Sequence, residues 1–258
     1  MIGRFMTWNV KTGGLDRDGP DRLEAITEVL AEQRPDILAL QESLGRRRLG
    51  MLASAIGMTP HLARSAFGQP VAVLVRPPLS ITDRTALRWG MHHAAAGAVV
   101  STGAGALTVV STHLNPYTPS RRRREASRIA KRYRGELVLV AGDLNTLEPG
   151  IDHADELARL PERFRKRHLG RDGGVDSRAV AVLLGGGLRD LWPIVGDGDG
   201  RTAPTSGGGG HEFSGMRLDY VLGSAAVAAR VVGMHVVRGG AAEYASDHYP
   251  VVVEFAGL

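Results

Sequence analysis

Cysteine is absent from this 258-residue chain, and lysine occurs only at Lys11, Lys131 and Lys166. Without thiols, disulfide staples and zinc–thiolate centres are excluded, and a reducing compartment fits. No apolar run reaches the ~18 residues that a membrane helix requires. The first ten residues lead directly into a strand-like pattern, without the basic end, apolar run and cleavage site of a signal peptide. These absences predict a cytoplasmic protein with no membrane association. No solenoid-period repeat occurs. Gly-x-Ser-x-Gly and GxxxxGK[ST] are also missing, so nothing in the sequence points to a covalent mechanism or a phosphate-cradling loop.

The charge that is present is mostly arginine. Lys and Arg total 32 against 27 acids, a net charge of +5. Arginine bias is an ordinary product of base composition, but a basic protein also favours anionic partners. Short strand-like apolar runs alternate with a few helical segments. Strands are predicted at 4–9, 36–40, 71–75, 98–102, 107–112, 137–141, 218–222, 231–237 and 251–255. Helices are predicted at about 20–33, 120–133, 152–168 and 176–184. Pro20 suits the first position of the first helix, and Pro35 ends it. Nine strands with about four helices predict two packed sheets with helices outside. With no composition shift along the chain, residues 1–258 read as one catalytic domain. The segment 145–176 reads as an elaboration of that domain.

Polar residues repeatedly interrupt the strand ends. Asn9 closes Phe5–Asn9, and Glu42 follows Ile37–Gln41. His113 follows Val109–Thr112, while Asp143 and Asn145 follow Val138–Gly142. Asp219 lies within Arg217–Leu222, and Asp247 and His248 precede Tyr249–Val253. Any one of these is an ordinary turn residue. Six such places are harder to attribute to turns, because strand ends converge on a common rim in layered folds. Glu42 and Asn9 are hard oxygen ligands of the kind Mg²⁺ prefers. Asp143 can accept a proton from water, Asn145 can donate to a phosphate oxygen, and Asp219 can hold His248 in one tautomer.

The ordered set Thr-Trp-Asn, Leu-Gln-Glu, Ser-Thr-His-Leu, Gly-Asp-Leu-Asn, Arg-Leu-Asp-Tyr and Ser-Asp-His-Tyr-Pro-Val resembles the endonuclease/exonuclease/phosphatase superfamily, with its DNase I-like and apurinic nucleases. The resemblance runs from Trp8 to Val251. It implies an α/β fold, a four-layer α/β/β/α sandwich of two mixed sheets. It also implies hydrolysis of a phosphate ester by activated water. Glu42 then matches the principal Mg²⁺ ligand, with Mn²⁺ a substitute, Asn9 assisting and Asp247 close enough to bind metal or water. Asp143 orients or deprotonates the water, and Asn145 holds the phosphate. His113 stands beside the scissile group, and His248 is the second histidine, oriented by Asp219. Apurinic-type members carry Asp two residues after the first Asn, where this chain has Lys11. That difference points to the DNase I-type branch.

Arg121 and Arg124 belong to an Arg121–Arg124 run that opens the second helix. The run is either a solvated face or a grip on substrate phosphate. His92 and His93 read as ordinary loop or strand residues, and Trp89, Trp192 and Phe213 as packing residues rather than stacking platforms. DNA or RNA is the first expectation for substrate, and a small phosphorylated molecule the second. A catalytically dead binding module is disfavoured by the intact motif set. No obligate protein partner is expected.

Overall fold

Two mixed β-sheets packed face to face form the centre of the computed structural model, which describes residues 2–258. The first sheet contains β1 (Arg4–Asn9), β2 (Ile37–Gln41), β3 (Thr59–Ala63), β4 (Val71–Val75), β10 (Gly196–Asp197), β12 (Val231–Val236) and β13 (Val251–Phe255). Its order is β10-β12-β13-β1-β2-β4-β3. The second contains β5 (Ile81–Leu87), β6 (Ala95–Thr102), β7 (Gly105–His113), β8 (Val138–Asp143), β9 (Arg189–Asp190) and β11 (Asp219–Gly223). Its order is β5-β6-β7-β8-β11-β9.

Alternation along the strands divides the core. Phe5, Ile37, Ala39, Val71 and Val73 face the other sheet, where Ala96, Ala98, Val109 and Leu139 meet them. Met6, Trp8, Leu38, Leu40 and Leu74 face outward onto α1 (Leu23–Gln33) and α2 (Arg46–Ile56). On the far side, Val110, Val138, Val140 and Tyr220 pack against α3 (Pro119–Arg132) and α6 (Arg178–Gly185). Layers therefore run helix, sheet, sheet, helix, as expected. Burying each large apolar side chain contributes roughly 1.5–3 kcal/mol. Shorter helices lie in the connections: α4 (Ala154–Arg159), α5 (Glu162–Arg165), α7 (Trp192–Val195) and α8 (Ala225–Ala228).

Several boundaries differ from the sequence reading. The first helix starts at Leu23 rather than Pro20, because the Asp21 carboxylate accepts the Leu23 N–H at 2.9 Å and ends the preceding turn. Segment 152–168 breaks at Leu160-Pro161 into α4, α5 and a 3₁₀ turn, since proline cannot continue a helix. Helix α2 lies outside the predicted helices, and Leu49, Leu52, Ala53 and Ile56 form its buried stripe. Strands β3 and β5 are partly exposed edge strands without a readable apolar alternation.

A polar bridge joins the sheets in the interior. Gln41 Nε2 donates to Ser111 Oγ at 3.0 Å, and Ser111 Oγ donates to the Leu40 carbonyl at 3.1 Å. It ties the end of β2 to the end of β7, the rim where the polar motifs gather.

Candidate active site

Strand register brings the motif residues to one edge. Asn9 pairs with Gln41 across parallel β1 and β2, so Glu42 emerges beside Asn9. His113 pairs with Asp143 across β7 and β8, and Asp219 pairs with Asp143 from the other side. Thr7 pairs with Val251, which carries the Asp247–His248 turn to the same rim. Close approach is possible because Gly142 sits at φ 137°, where an added Cβ would stand 1.9 Å from the Thr112 carbonyl oxygen. Glu42 (φ 57°), Asn145 (φ 49°) and Lys11 (φ 42°) all hold left-handed backbone, which is costly for non-glycine residues and concentrates at functional sites.

Asp143 is the hub. Its Oδ2 accepts from Asn9 Nδ2 at 3.1 Å and lies 3.3 Å from His113 Nε2 and 3.7 Å from His248 Nε2. Its Oδ1 accepts the Asn145 backbone N–H at 2.8 Å. Asn9 Nδ2 also reaches Glu42 Oε1 at 3.3 Å, and Glu42 Oε2 accepts the Thr12 N–H at 2.9 Å. His248 Nδ1 stands 2.7 Å from Asp219 Oδ2, and the Trp8 indole N–H donates to the His248 carbonyl at 2.8 Å. Asn145 Nδ2 donates to the Leu114 carbonyl at 3.1 Å. Asp247 lines the same cavity, of about 520 Å³, with Lys11 Nζ 3.7 Å from its carboxylate.

Burial dominates the electrostatics. It raises Asp143 to about 7, against the opposing pull of His248. Burial would depress His248, but the charges of Asp219 and Asp143 outweigh it and raise this histidine well above its ordinary value. His248 is therefore an imidazolium near neutrality. Burial, reinforced by neighbouring histidines, holds His113 well below the ordinary value, so that ring is neutral. Burial also raises Glu42, and the nearby Asp247 charge adds to the shift.

These residues fit a divalent cation. Glu42 and Asp247 supply carboxylate oxygens and Asn9 an amide oxygen, a hard donor set without sulfur. Burial, with the Asp247 charge adding to it, raises Glu42, and a bound cation would favour its charged form. A second group, Asp143, Asp219 and His248, also brings one ligand atom from each residue within 4.8 Å of the others. Its 2.7 Å Asp219–His248 bond occupies the Nδ1 atom, so we read this group as a carboxylate–imidazolium arrangement rather than a ligand shell.

The arginine run divides. Arg122 is wholly buried, donating to the carbonyls of Asn115 at 3.2 Å and Arg167 at 2.5 Å, and it locks α3 to the inserted segment. Arg121 and Arg124 line an adjoining cleft along α3 rather than the cavity itself. Segment 145–176 carries the basic residues Arg163, Arg165, Lys166 and Arg167; of these Arg167 reaches the cavity, whereas Lys166 pairs with Glu162 at 2.5 Å and Arg163 covers the Phe164 ring.

The reading of His92 and His93 as ordinary residues is corrected. Both line the cavity, and the His93 ring stacks on His113 with centroids 3.8 Å apart and planes 6° apart. The signal lay in strand order: Ala95 pairs with Thr112, which puts the preceding histidine beside His113. Phe213 likewise sets its ring edge-on to His248 at 5.1 Å, while Trp192 packs on the inter-sheet core and Trp89 is exposed.

The molecule is similar to solved structures along its whole length. An endonuclease/exonuclease/phosphatase from Bacteroides vulgatus matches with a TM-score of 0.75 at 15% identity, covering 100% of both chains. A mannosyl-6-phosphatase from Bacteroides thetaiotaomicron matches with a TM-score of 0.70 at 15% identity, covering 98% of this chain and 99% of that one. Truncated Caenorhabditis elegans TDP2 matches with a TM-score of 0.66 at 18% identity, covering 98% and 97%. At these identities the likeness concerns the fold. No curated protein matches the sequence. The family model described as Endonuclease/Exonuclease/phosphatase family matches residues 6–248, and the chain belongs to that family of phosphoesterases.

Proposed function

We propose that this protein hydrolyses phosphodiesters with Mg²⁺ bound at Glu42, Asn9 and Asp247, and that nucleic acid is its substrate, in the cytoplasm. The observation that carries the reading is the position of Asp143, within 3.1–3.7 Å of Asn9, His113 and His248 in the cavity that Glu42 also lines. Bound Mg²⁺ would supply Lewis acidity at a phosphoryl oxygen. Asp143, raised toward neutrality by burial, takes a proton from the attacking water. Asn145 steadies a phosphate oxygen with the amide hydrogen left free by its bond to Leu114. The His248 imidazolium, charged through Asp219, donates its Nε2–H to the oxygen on which negative charge builds. Neutral His113 lies against Asp143 and borders the phosphate.

A specific feature favours a second reading, a phosphatase for a small molecule. Arg167 and His168 from the segment 145–176 and Phe213 from the loop 207–215 line the cavity. A panel of plasmid, single strands, nucleotides and sugar phosphates, each with Mg²⁺ and with EDTA, separates the two. Cleavage of polymers only with Mg²⁺ supports the proposal. Turnover of a sugar phosphate alone selects the second reading, and no hydrolysis of any phosphate ester rejects both.

A further inference from the structure

Beside the catalytic cavity lies a larger cleft, of about 1120 Å³, that runs along α3 and shares Phe67 and His92 with it. We propose that this cleft is a track for an unpaired polynucleotide strand, with Phe67 as the base-stacking platform where the track enters the cavity. The proposal rests on the phosphodiesterase reading and adds the strand type and the residues that hold it.

Charge in the cleft is almost entirely of one sign. Arg121, Arg123, Arg124, Arg128 and Lys131 line it, and all five are exposed. None takes part in an ion pair among the described residues. The one acid in the lining, Glu125, is buried with both oxygens engaged by the backbone N–H groups of His92 and Asn115, each at 2.7 Å. Cations in the first turns of a helix oppose its dipole, and like charges three or four residues apart repel. Local structure therefore gains little from Arg121, Arg124 and Arg128, while a polyanion would stabilise them all. The row from Arg121 to Lys131 extends about 15 Å at ~1.5 Å per residue, longer than a single phosphate group needs.

Two further observations point to a ligand. Asn115 is wholly buried and lines the cleft, and its Oδ1 accepts the N–H groups of Tyr117 and Thr118. Its Nδ2 donor has no partner. Phe67 is 74% exposed, yet its loop is pinned. Ser65 Oγ donates to the His92 carbonyl at 2.9 Å and accepts from the N–H groups of Phe67 and Gly68, and the Gln69 N–H donates to His93 Nδ1 at 2.8 Å. An aromatic face carried on a pinned loop and open to solvent accepts an unstacked base, which a duplex does not offer.

The test is binding of a short labelled oligodeoxynucleotide in EDTA, read by fluorescence anisotropy across a salt series, so that it does not depend on turnover. Replacing Arg121, Arg124 and Arg128 together by Ala should weaken binding by about tenfold or more and make the log–log salt slope shallower by about 2. The same three positions changed to Lys should keep the slope. Phe67→Ala should weaken the single strand by at least about fivefold and leave the salt slope unchanged. Thermal melting of each variant checks that the fold is kept. An unchanged affinity and slope in the triple Ala variant, no binding by the wild type, or a duplex bound more tightly than the single strand overturns the proposal. Failure of hydrolysis with binding intact would instead reject the catalytic reading.

Discussion

His248 Nδ1 and Asp219 Oδ2 stand 2.7 Å apart, with both side chains buried. The carboxylate keeps the imidazole charged where burial would discharge it. Because the folded value is raised, the imidazolium is present at low pH and lost as pH rises through that value. Asp219→Asn removes the largest opposing charge. The basic limb of the pH–kcat/KM profile should move down by at least about one pH unit. A basic limb that stays in place would show that His248 does not act in the charged form.

Glu42 should be the residue that a divalent cation needs most. Glu42→Gln keeps the shape and removes the charge, so Mn²⁺ affinity should fall by at least about tenfold. Cation binding to the folded state raises the melting temperature. Titration of the wild type with Mg²⁺ should therefore raise it, and titration of the variant should not. Equal shifts in both proteins would place the cation elsewhere.

Gly142→Ala should be among the most damaging single changes. A Cβ there would stand 1.9 Å from the Thr112 carbonyl, in a backbone region unfavourable to alanine. Destabilisation of about 4 kcal/mol or more is expected. Chemical denaturation tests this, and a loss below about 1 kcal/mol would mean that β7 and β8 separate easily.

Glu125 predicts a pH dependence of stability. Burial raises its folded value to about 7 from an ordinary 4.5, despite its two backbone hydrogen bonds. Stability from this group is thus fully present below about 4.5 and lost as pH rises to about 7. Glu125→Gln cannot ionise. Its stability relative to wild type should improve across that window, by at most ~3 kcal/mol, and then level off. A constant difference between the two proteins from acid to neutral pH would refute the assignment.

Much of the site was legible because its residues follow strands with clear apolar runs. Val138–Ala141 predicts a strand, and Asp143 has to emerge at its end. The layered arrangement was readable for the same reason. What the sequence does not display depends on packing between distant segments. Alanine-rich Ala95–Ala98 has weak strand propensity, so β6 seemed to begin later and His93 was not placed beside His113. Arg122 looks like its neighbours in sequence, yet it alone turns inward, a distinction set by the carbonyls of Asn115 and Arg167. Strand β5 is exposed along most of its length, and no periodicity marks such an edge.

β13 lies between β12 and β1, pairing Arg4 with Glu254. The middle of the first sheet is thus completed by a strand 250 residues along the chain from its partner. Until it arrives, β1 has one open edge, and the Asp247–His248 turn has no strand to hold it at the rim. Growing chains carry Asn9, Glu42 and Asp143 long before they carry the imidazolium. Contacts so distant in sequence form slowly, so the complete rim should form only when β13 docks. A chain in which β13 has not docked would then hold Asp143 without the imidazolium beside it.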